Sequence, residues 1–182
     1  MTYLIASDLH GDAVCTEQLL RAFDNSGAER LVLLGDILYH GPRNDLPAGY
    51  APKRVIELLS PYANRILCVR GNCDTEVDQM VLPFPILASY AHLATDSLRI
   101  LATHGHTYTK DAPPPLAKGD ILLTGHTHVP AAVSFGHENW YINPGSVSIP
   151  KENSPKSYIL LQDRTFSFIR LANGTEYQRV TV

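Results

Sequence analysis

Five short polar clusters stand out in the chain because each one follows directly after an apolar run. Each cluster contains Asp, Asn or His side chains, and a glycine adjoins every one of the five. The candidate metal ligands in these clusters are Asp8, His10, Asp36, Asn72, His104, His126 and His128. Mixed oxygen and imidazole donors suit divalent transition metals, whereas carboxylates alone favour Mg²⁺ or Ca²⁺ and thiolates favour Zn²⁺ or Cu⁺. The clusters therefore predict a site for divalent transition metals.

The number of candidate ligands indicates how many metal ions the site would hold. Seven donors are too many for one tetrahedral ion, but they suit two ions about 3.5–4 Å apart that share a bridging carboxylate. Two divalent cations outweigh two aspartates and one bridging hydroxide, so such a site would be net positive. Metal coordination also lowers the pKa of water to about 7. The predicted site would thus attract an anion and supply a nucleophile.

Each candidate ligand also has an ordinary structural explanation. Asp8 could cap a helix, Asp36 could belong to a turn, and Asn72 after a glycine could adopt a left-handed conformation. A single histidine on a strand is more often an ordinary polar residue than a ligand. These explanations are weak when taken together, because no structural requirement places such clusters at successive strand ends.

The apolar runs that precede the clusters are typical of buried strands. Residues 3–7, 30–36 and 65–71 form the first three of these runs. Ligands bind at the carboxyl ends of the strands in parallel sheets. We therefore expect the sheet to gather the polar clusters into one place.

Two helices are predicted in the first third of the chain. Apolar residues recur at helical spacing after Asp12, which could cap a helix, and Gly27 is typical of its end. A second helix is expected from Pro52 to about Pro61. Between these helices, residues 40–52 are rich in Pro, Gly and Asn and predict a long loop.

The rest of the chain contains strand-like runs separated by tight turns. These runs cover residues 86–94, 98–105, 120–126, 131–136, 139–145, 157–163 and 165–171. The pattern predicts an α/β fold in which a two-sheet β-sandwich is flanked by helices. No repeat, linker or composition shift divides the chain, so we expect a single domain over residues 1–182.

The composition argues against several other classes of protein. The chain is 45% hydrophobic and 18% charged, and its formal net charge is -3 without a basic block, so nucleic acid is not an expected partner. No apolar run approaches the ~20 residues of a membrane span. The cysteines, Cys15, Cys68 and Cys73, show no CxxC spacing and are expected to be reduced thiols in a cytoplasmic protein.

The polar clusters resemble the signature blocks of the calcineurin-like metallophosphoesterase superfamily. The blocks are DLH at 8–10, GD at 35–36, GNCD at 71–74, THGH at 103–106 and GHTH at 125–128. Two further stretches, HGPRN at 40–44 and NPGSVSIPK at 143–151, are similar to the small bacterial phosphodiesterases of the YfcE type. The resemblance implies a two-sheet α/β sandwich with a dinuclear metal centre.

The resemblance also implies roles for the ligands. Asp8, His10 and His128 would hold one metal, Asn72, His104 and His126 the other, and Asp36 would bridge them. Mn²⁺ is the expected metal, with Ni²⁺, Fe or Zn²⁺ as alternatives. The implied reaction is in-line attack on the phosphorus of a small phosphodiester by a hydroxide held by both metals. Asn72 would in addition contact the phosphoryl oxygens.

Cys73 departs from the pattern of the superfamily. Many members have a histidine at this place, which is thought to bind the phosphoryl group and protonate the leaving oxygen, with Asp74 orienting it. A cysteine has one weak donor and lacks the reach of an imidazole. If Cys73 is a weak catalytic group, diesters with good leaving groups should be preferred. The alternative is that Cys73 is a small, partly buried filler.

The loop after the second strand offers two further candidates, both for substrate binding. Arg43 could bind a phosphate with two hydrogen bonds, and His40 could serve as a donor. The alternatives are a surface ion pair for Arg43 and a capped turn for His40.

Three functions remain open from the sequence. The first is a phosphodiesterase, the second a phosphomonoesterase, and the third a non-enzymatic scaffold similar to the retromer subunit of eukaryotes. Scaffold members of the superfamily tend to lose metal ligands, and the presence of all seven here favours an enzyme. Self-association into a homo-oligomer is a further expectation from the resemblance.

Overall fold

The computed structural model describes all 182 residues and contains eleven strands, three α-helices and one 3-10 turn. The strands are β1 (Tyr3–Ala6), β2 (Arg30–Leu33), β3 (Ile66–Cys68), β4 (Tyr90–Leu93), β5 (Ile100–Thr103), β6 (Ile121–Leu123), β7 (Pro130–Phe135), β8 (Asn139–Pro144), β9 (Ser157–Gln162), β10 (Thr165–Arg170) and β11 (Glu176–Thr181). The helices are α1 (Ala13–Ser26), α2 (Pro52–Leu59) and α3 (Glu76–Gln79), and the 3-10 turn is Ser60–Arg65. None of the helices has the length and hydrophobicity needed to span a bilayer.

The strands form two mixed sheets, which confirms the predicted two-sheet α/β fold. The six-stranded sheet has the order β11-β10-β9-β1-β2-β3, and the five-stranded sheet has the order β4-β5-β6-β8-β7. In the first sheet β1, β2 and β3 are parallel, and in the second β5, β6 and β8 are parallel. Each sheet therefore has three adjacent parallel strands, at one side of the six-stranded sheet and in the middle of the five-stranded sheet, whose carboxyl ends lie along one edge.

Strand β1 is buried on both of its faces. Leu4 and Ala6 belong to the core beneath the helices, whereas Tyr3 and Ile5 belong to the core between the two sheets. Successive side chains of a strand point to opposite faces, and both faces of β1 are covered. This explains why β1 reads as a continuous apolar run and not as an alternating one.

Helix α1 begins and ends as the sequence predicts. The Asp12 side chain accepts a hydrogen bond from the Cys15 amide at 3.0 Å, and Gly27 ends the helix with a φ of 70°. Leu19 and Phe23 are fully buried on the face that packs against the sheet. The helix thereby fixes the turn that immediately precedes it, which carries two of the candidate ligands.

Two elements were not predicted from the sequence. Strand β11 pairs with β10 at the edge of the six-stranded sheet, and most of its residues are exposed. Helix α3 is a single turn, held by a capping box between Thr75 and Asp78. Both elements lack the apolar run that marks a buried strand or the apolar stripe that marks a buried helix.

The two capping residues offer a test of what fixes the fold. We expect Asp12→Ala to lower the free energy of unfolding by about 0.5–2 kcal/mol, because α1 loses its N-cap in a buried setting. Thr75→Ala removes an equivalent cap from the exposed α3 and should change that free energy by less than about 0.5 kcal/mol. Urea unfolding of both variants measures the difference, and equal effects would contradict the central role of α1.

Candidate metal centre

The carboxyl ends of parallel strands from both sheets meet at one site. Asp8 follows β1, Asp36 follows β2 and Asn72 follows β3, all in the six-stranded sheet. His104 follows β5 and His126 follows β6 in the five-stranded sheet. The loops after these strands bring together all seven ligands predicted from the sequence, as the distances below show.

Asp8, His10 and His128 form a first buried group. The Asp8 Oδ1 atom lies 3.3 Å from His128 Nε2 and 3.6 Å from His10 Nε2. The two imidazole Nε2 atoms are 3.3 Å apart. Three donor atoms thus converge on one point from two sheets.

Asn72, His104 and His126 form a second group beside the first. His104 Nε2 lies 3.0 Å from the Asn72 side-chain oxygen and 3.2 Å from His126 Nδ1. His104 is fully buried, whereas Asn72 is exposed to the cleft above the site. The second group is therefore the one that opens toward solvent.

Asp36 lies between the two groups. Its Oδ2 atom is 3.6 Å from His10 Nε2 and 3.5 Å from His104 Nε2. Its Oδ1 atom accepts a hydrogen bond from the Cys73 amide at 2.8 Å. This carboxylate has the position that a bridge between two cations requires.

Backbone carbonyl groups set the tautomers of three imidazoles. The Nδ1 atoms of His10, His104 and His128 lie 2.8, 2.6 and 2.7 Å from the carbonyl oxygens of Tyr39, Leu34 and Ile149, respectively. A carbonyl can only accept, so each Nδ1 carries the proton. Neutral imidazoles of this tautomer direct the unprotonated Nε2 lone pair into the site, as in metal-binding histidines.

The centre of the site consequently contains acceptors that face one another without a donor. In the neutral tautomers, His10 Nε2 and His128 Nε2 both present lone pairs at 3.3 Å. The buried Asp8 Oδ1 atom beside them has no hydrogen-bond partner. Such an arrangement of lone pairs is unfavourable unless a cation lies between these nitrogen and oxygen atoms. The residues present therefore fit divalent metal ions.

The pKa values of the buried groups reflect the same demand for positive charge. Burial alone would lower the pKa of His104, but its hydrogen bond with Asp36 and the charges of Asp8 and Asp36 raise that pKa to about 9. Burial alone would raise the pKa of Asp8, yet the imidazoles of His10 and His128 beside it hold that pKa well below its ordinary value. The carboxylates stay ionised and draw a cation or a proton into the site.

His126 differs from its neighbours. Burial, reinforced by the nearby charge of His104, lowers the pKa of His126 to about 4. The ring is therefore neutral at physiological pH and keeps a lone pair available for a metal.

Most of the ligands have a left-handed backbone conformation. The φ angles are 57° for Asp8, 47° for His10, 57° for Asp36, 66° for His126 and 62° for His128. Asp and His tolerate this region better than most residues, but each instance still costs of order 1–3 kcal/mol. Such angles cluster at functional sites, where they turn the side chain inward against the local preference of the chain.

Two glycines allow the loops to approach more closely than any other residue would permit. A Cβ atom added at Gly71 would collide with the backbone and carboxylate of Asp36. A Cβ atom added at Gly125 would collide with the side chain of Ser7. These glycines thus serve close contact between ligand loops, in addition to the sharp turns expected at the strand ends.

The end of β8 and the segment that follows it hold the ligand loops in place, a role the sequence alone did not reveal. Ser146 and Ser148 donate hydrogen bonds to the Asp8 carbonyl oxygen at 2.9 and 2.7 Å. The Asn143 amide donates to the Gly125 carbonyl at 2.7 Å. The stretch NPGSVSIPK drew attention to this segment in the sequence. The hydrogen-bond partner of its two serines, however, is more than a hundred residues away in the chain.

Asp74 fixes the backbone of Asp36 and its neighbours. Its Oδ2 atom accepts from the amides of Asp36 and Gly71 at 2.8 and 2.7 Å, and its Oδ1 atom accepts from Ile37 at 2.9 Å. Asp74 is 1% exposed. This carboxylate joins the loops after β2 and β3, whereas the resemblance had implied that it orients an imidazole.

Cys73 is buried at the wall of the site and lies close to its ligands. The Asn72 amide donates to Cys73 Sγ at 3.2 Å, and the Sγ atom lies within 4.8 Å of donor atoms of His10 and Asp36. Burial, together with the charge of Asp36, raises the pKa of Cys73 to about 12. In the protein without metal, the side chain is therefore a neutral thiol with one weak donor.

A cleft of about 420 Å³ lies above the metal ligands. Arg43 and Cys73 line it, as do Thr127 and Lys151, which the sequence had not singled out. His40 is not among the residues that line the cleft. Its ring instead makes edge contacts with Tyr39 and Tyr50, with centroids 4.8 and 5.4 Å away.

Asp74 can be tested by a change that preserves its shape. In Asp74→Asn, the amide group faces backbone donors, so we expect the free energy of unfolding to fall by about 1–3 kcal/mol and the content of bound metal to fall with it. Asp78→Asn is the matched control, because Asp78 also accepts a backbone hydrogen bond but lies in the exposed α3. Unfolding curves and metal analysis measure both effects, and unchanged metal content in Asp74→Asn would contradict this role.

Known proteins are similar to this chain in both sequence and fold. The chain is 46% identical over 182 residues to the phosphodiesterase YfcE of Escherichia coli strain K12, with 100% of this chain and 98% of YfcE covered. The solved structure of YfcE, described as a phosphoesterase from E. coli, matches with a TM-score of 0.95 and covers 100% of this chain and 99% of that one. The probable metallophosphoesterase YsnB of Bacillus subtilis strain 168 is 27% identical over 172 residues, with 88% of this chain and 83% of YsnB covered.

A more distant match shows the fold alone. Vacuolar Protein Sorting 29 from Cryptosporidium parvum is 17% identical with a TM-score of 0.65, over 100% of this chain and 98% of that one.

The sequence model of the calcineurin-like phosphoesterase superfamily domain matches residues 1–165. The chain therefore belongs to the calcineurin-like phosphoesterase superfamily.

Proposed function

We propose that the protein is a metal-dependent phosphodiesterase that hydrolyses small phosphodiesters. The observation that carries this proposal is the set of buried lone pairs around Asp8, His10 and His128, which no protein donor satisfies. The 46% identity to a protein named a phosphodiesterase over nearly its whole length supports the same activity.

We divide the candidate ligands between two metal ions. Asp8, His10 and His128 would hold one cation and Asn72, His104 and His126 the other, with Asp36 shared. When bound, two divalent cations supply Lewis acidity and a nucleophile from water at neutral pH. Mixed nitrogen and oxygen donors suit several divalent transition metals, of which we propose Mn²⁺, with Ni²⁺, Fe or Zn²⁺ as the alternatives.

The residues of the cleft would bind and orient the substrate. Arg43 is exposed at the cleft, and its guanidinium can grip two oxygens of a phosphodiester. The exposed amide of Asn72 can contact the same phosphoryl group as negative charge develops on it. The carbonyl groups that hold His10, His104 and His128 keep the imidazoles from rotating as the substrate binds.

The thiol of Cys73 sets the preference among esters. A neutral thiol is a weak donor and gives little assistance to a leaving oxygen. Poor leaving groups need protonation in the transition state, which contributes about 10²–10⁴-fold to the rate. We therefore propose that diesters with low-pKa leaving groups are the better substrates.

Metal dependence tests the proposed function. We expect the purified protein to hydrolyse bis(4-nitrophenyl) phosphate, to lose that activity on chelation, and to regain it best with Mn²⁺ among the four candidate metals. The release of nitrophenolate measures the activity, and 4-nitrophenyl phosphate serves as the monoester for comparison. Full activity after chelation would contradict the proposal, and faster turnover of the monoester would assign the site to phosphomonoesters.

A substitution at Cys73 tests the ester preference. Cys73→His should raise kcat for an alkyl or nucleoside diester more than for an aryl diester, because an imidazole can protonate the poorer leaving group. Cys73→Ser is the control, since it keeps a small donor without supplying an imidazole. Steady-state kinetics with the two ester classes measure the ratio, and an equal change for both would count against the proposal.

A further inference from the structure

Two basic side chains line the cleft without a partner of their own. Of the 15 Lys and Arg residues, all but Arg43, Lys53 and Lys151 form an ion pair, a side-chain hydrogen bond or a cation–π contact. Arg43 and Lys151 both line the cleft, and both are exposed. In a chain of net charge -3, unpaired cations at one site indicate a place for anions.

The two cations lie in different loops. Arg43 lies in the loop after β2, and Gly41 in the same loop packs near the thiol of Cys73. Lys151 lies after β8, and its backbone amide donates to the carbonyl of His128 at 3.1 Å. Arg43 and Lys151 therefore reach the same cleft from two separate loops.

A single phosphodiester does not need both cations. It carries one negative charge, for which two metal ions and Arg43 already provide positive charge. Only one of the 12 residues that line the cleft is hydrophobic, so the walls offer little to a neutral apolar group. Lys151 is thus best matched by a second charged group on the substrate.

We propose that Lys151 forms a subsite for a second phosphate group, so that the preferred substrates are phosphodiesters that also carry a terminal phosphate monoester. This inference rests on the proposed phosphodiesterase function. A lysine ammonium binds phosphate as a compact point charge, without the fixed two-pronged geometry of arginine. The side chain of Lys151 can therefore follow a phosphate whose distance from the scissile bond varies between substrates.

Two matched substrates isolate the subsite. Thymidine 5′-(4-nitrophenyl phosphate) and its 3′-phosphorylated counterpart share the scissile bond and the leaving group, and they differ only in the second phosphate. We expect the wild-type protein to show a higher kcat/KM for the phosphorylated substrate. Lys151→Ala should reduce the ratio of the two values about fivefold, mainly through KM, and Lys151→Arg should restore part of it.

The remaining unpaired lysine provides the control. Lys53 lies in α2 and is not among the residues that line the cleft, so Lys53→Ala should leave the ratio unchanged. Hydrolysis of both substrates with an unaltered ratio in Lys151→Ala would overturn the subsite alone. If neither substrate were hydrolysed with any of the four metals, the phosphodiesterase function and the subsite would both be overturned.

Discussion

Three carboxylates are buried where the two sheets meet, and the rest of the site depends on how their charge is compensated. Moving an isolated carboxylate out of water is very unfavourable unless hydrogen bonds or opposite charges replace the lost hydration. Asp74 is compensated by three backbone amides. Asp36 is compensated by an amide at one oxygen and faces two imidazoles with the other. Asp8 keeps one oxygen without any hydrogen-bond partner.

The three carboxylates differ in how completely their oxygens are hydrogen-bonded, and this difference separates structural carboxylates from functional ones. A fully satisfied carboxylate such as Asp74 holds loops together and has no capacity left for a ligand. The partly satisfied oxygens of Asp8 and Asp36 point toward imidazole nitrogens whose protons are turned away, toward backbone carbonyls. The fold therefore holds an array of negative charge and lone pairs that only a cation can satisfy, and the superfamily supplies that cation as metal.

The sequence singled out the candidate ligands because they follow apolar runs, and local patterns identify such runs. Strands β1 to β3 and the capped helix α1 could be predicted for the same reason, since each buries residues at the spacing of its own secondary structure. The role of Asp74 could not be predicted from the sequence, because its partner amide at Asp36 lies 38 positions away. The serines that hold Asp8 are farther still, and Lys151 stands out only once the partners of every other basic residue are known. Strand β11 was missed because its exposed residues leave no apolar run.

The pairing of β1 with β9 has a consequence for biosynthesis. The strand that leads to Asp8 leaves the ribosome well before its antiparallel neighbour, which spans Ser157–Gln162. The serines that hold the Asp8 carbonyl are separated from it by 138 and 140 residues. A nascent chain therefore cannot assemble the complete donor set until His128 and the two serines have been translated. Any ion that requires the complete set of candidate ligands is thus bound only after both halves of the site have been made, because a shorter nascent chain contains only part of that set.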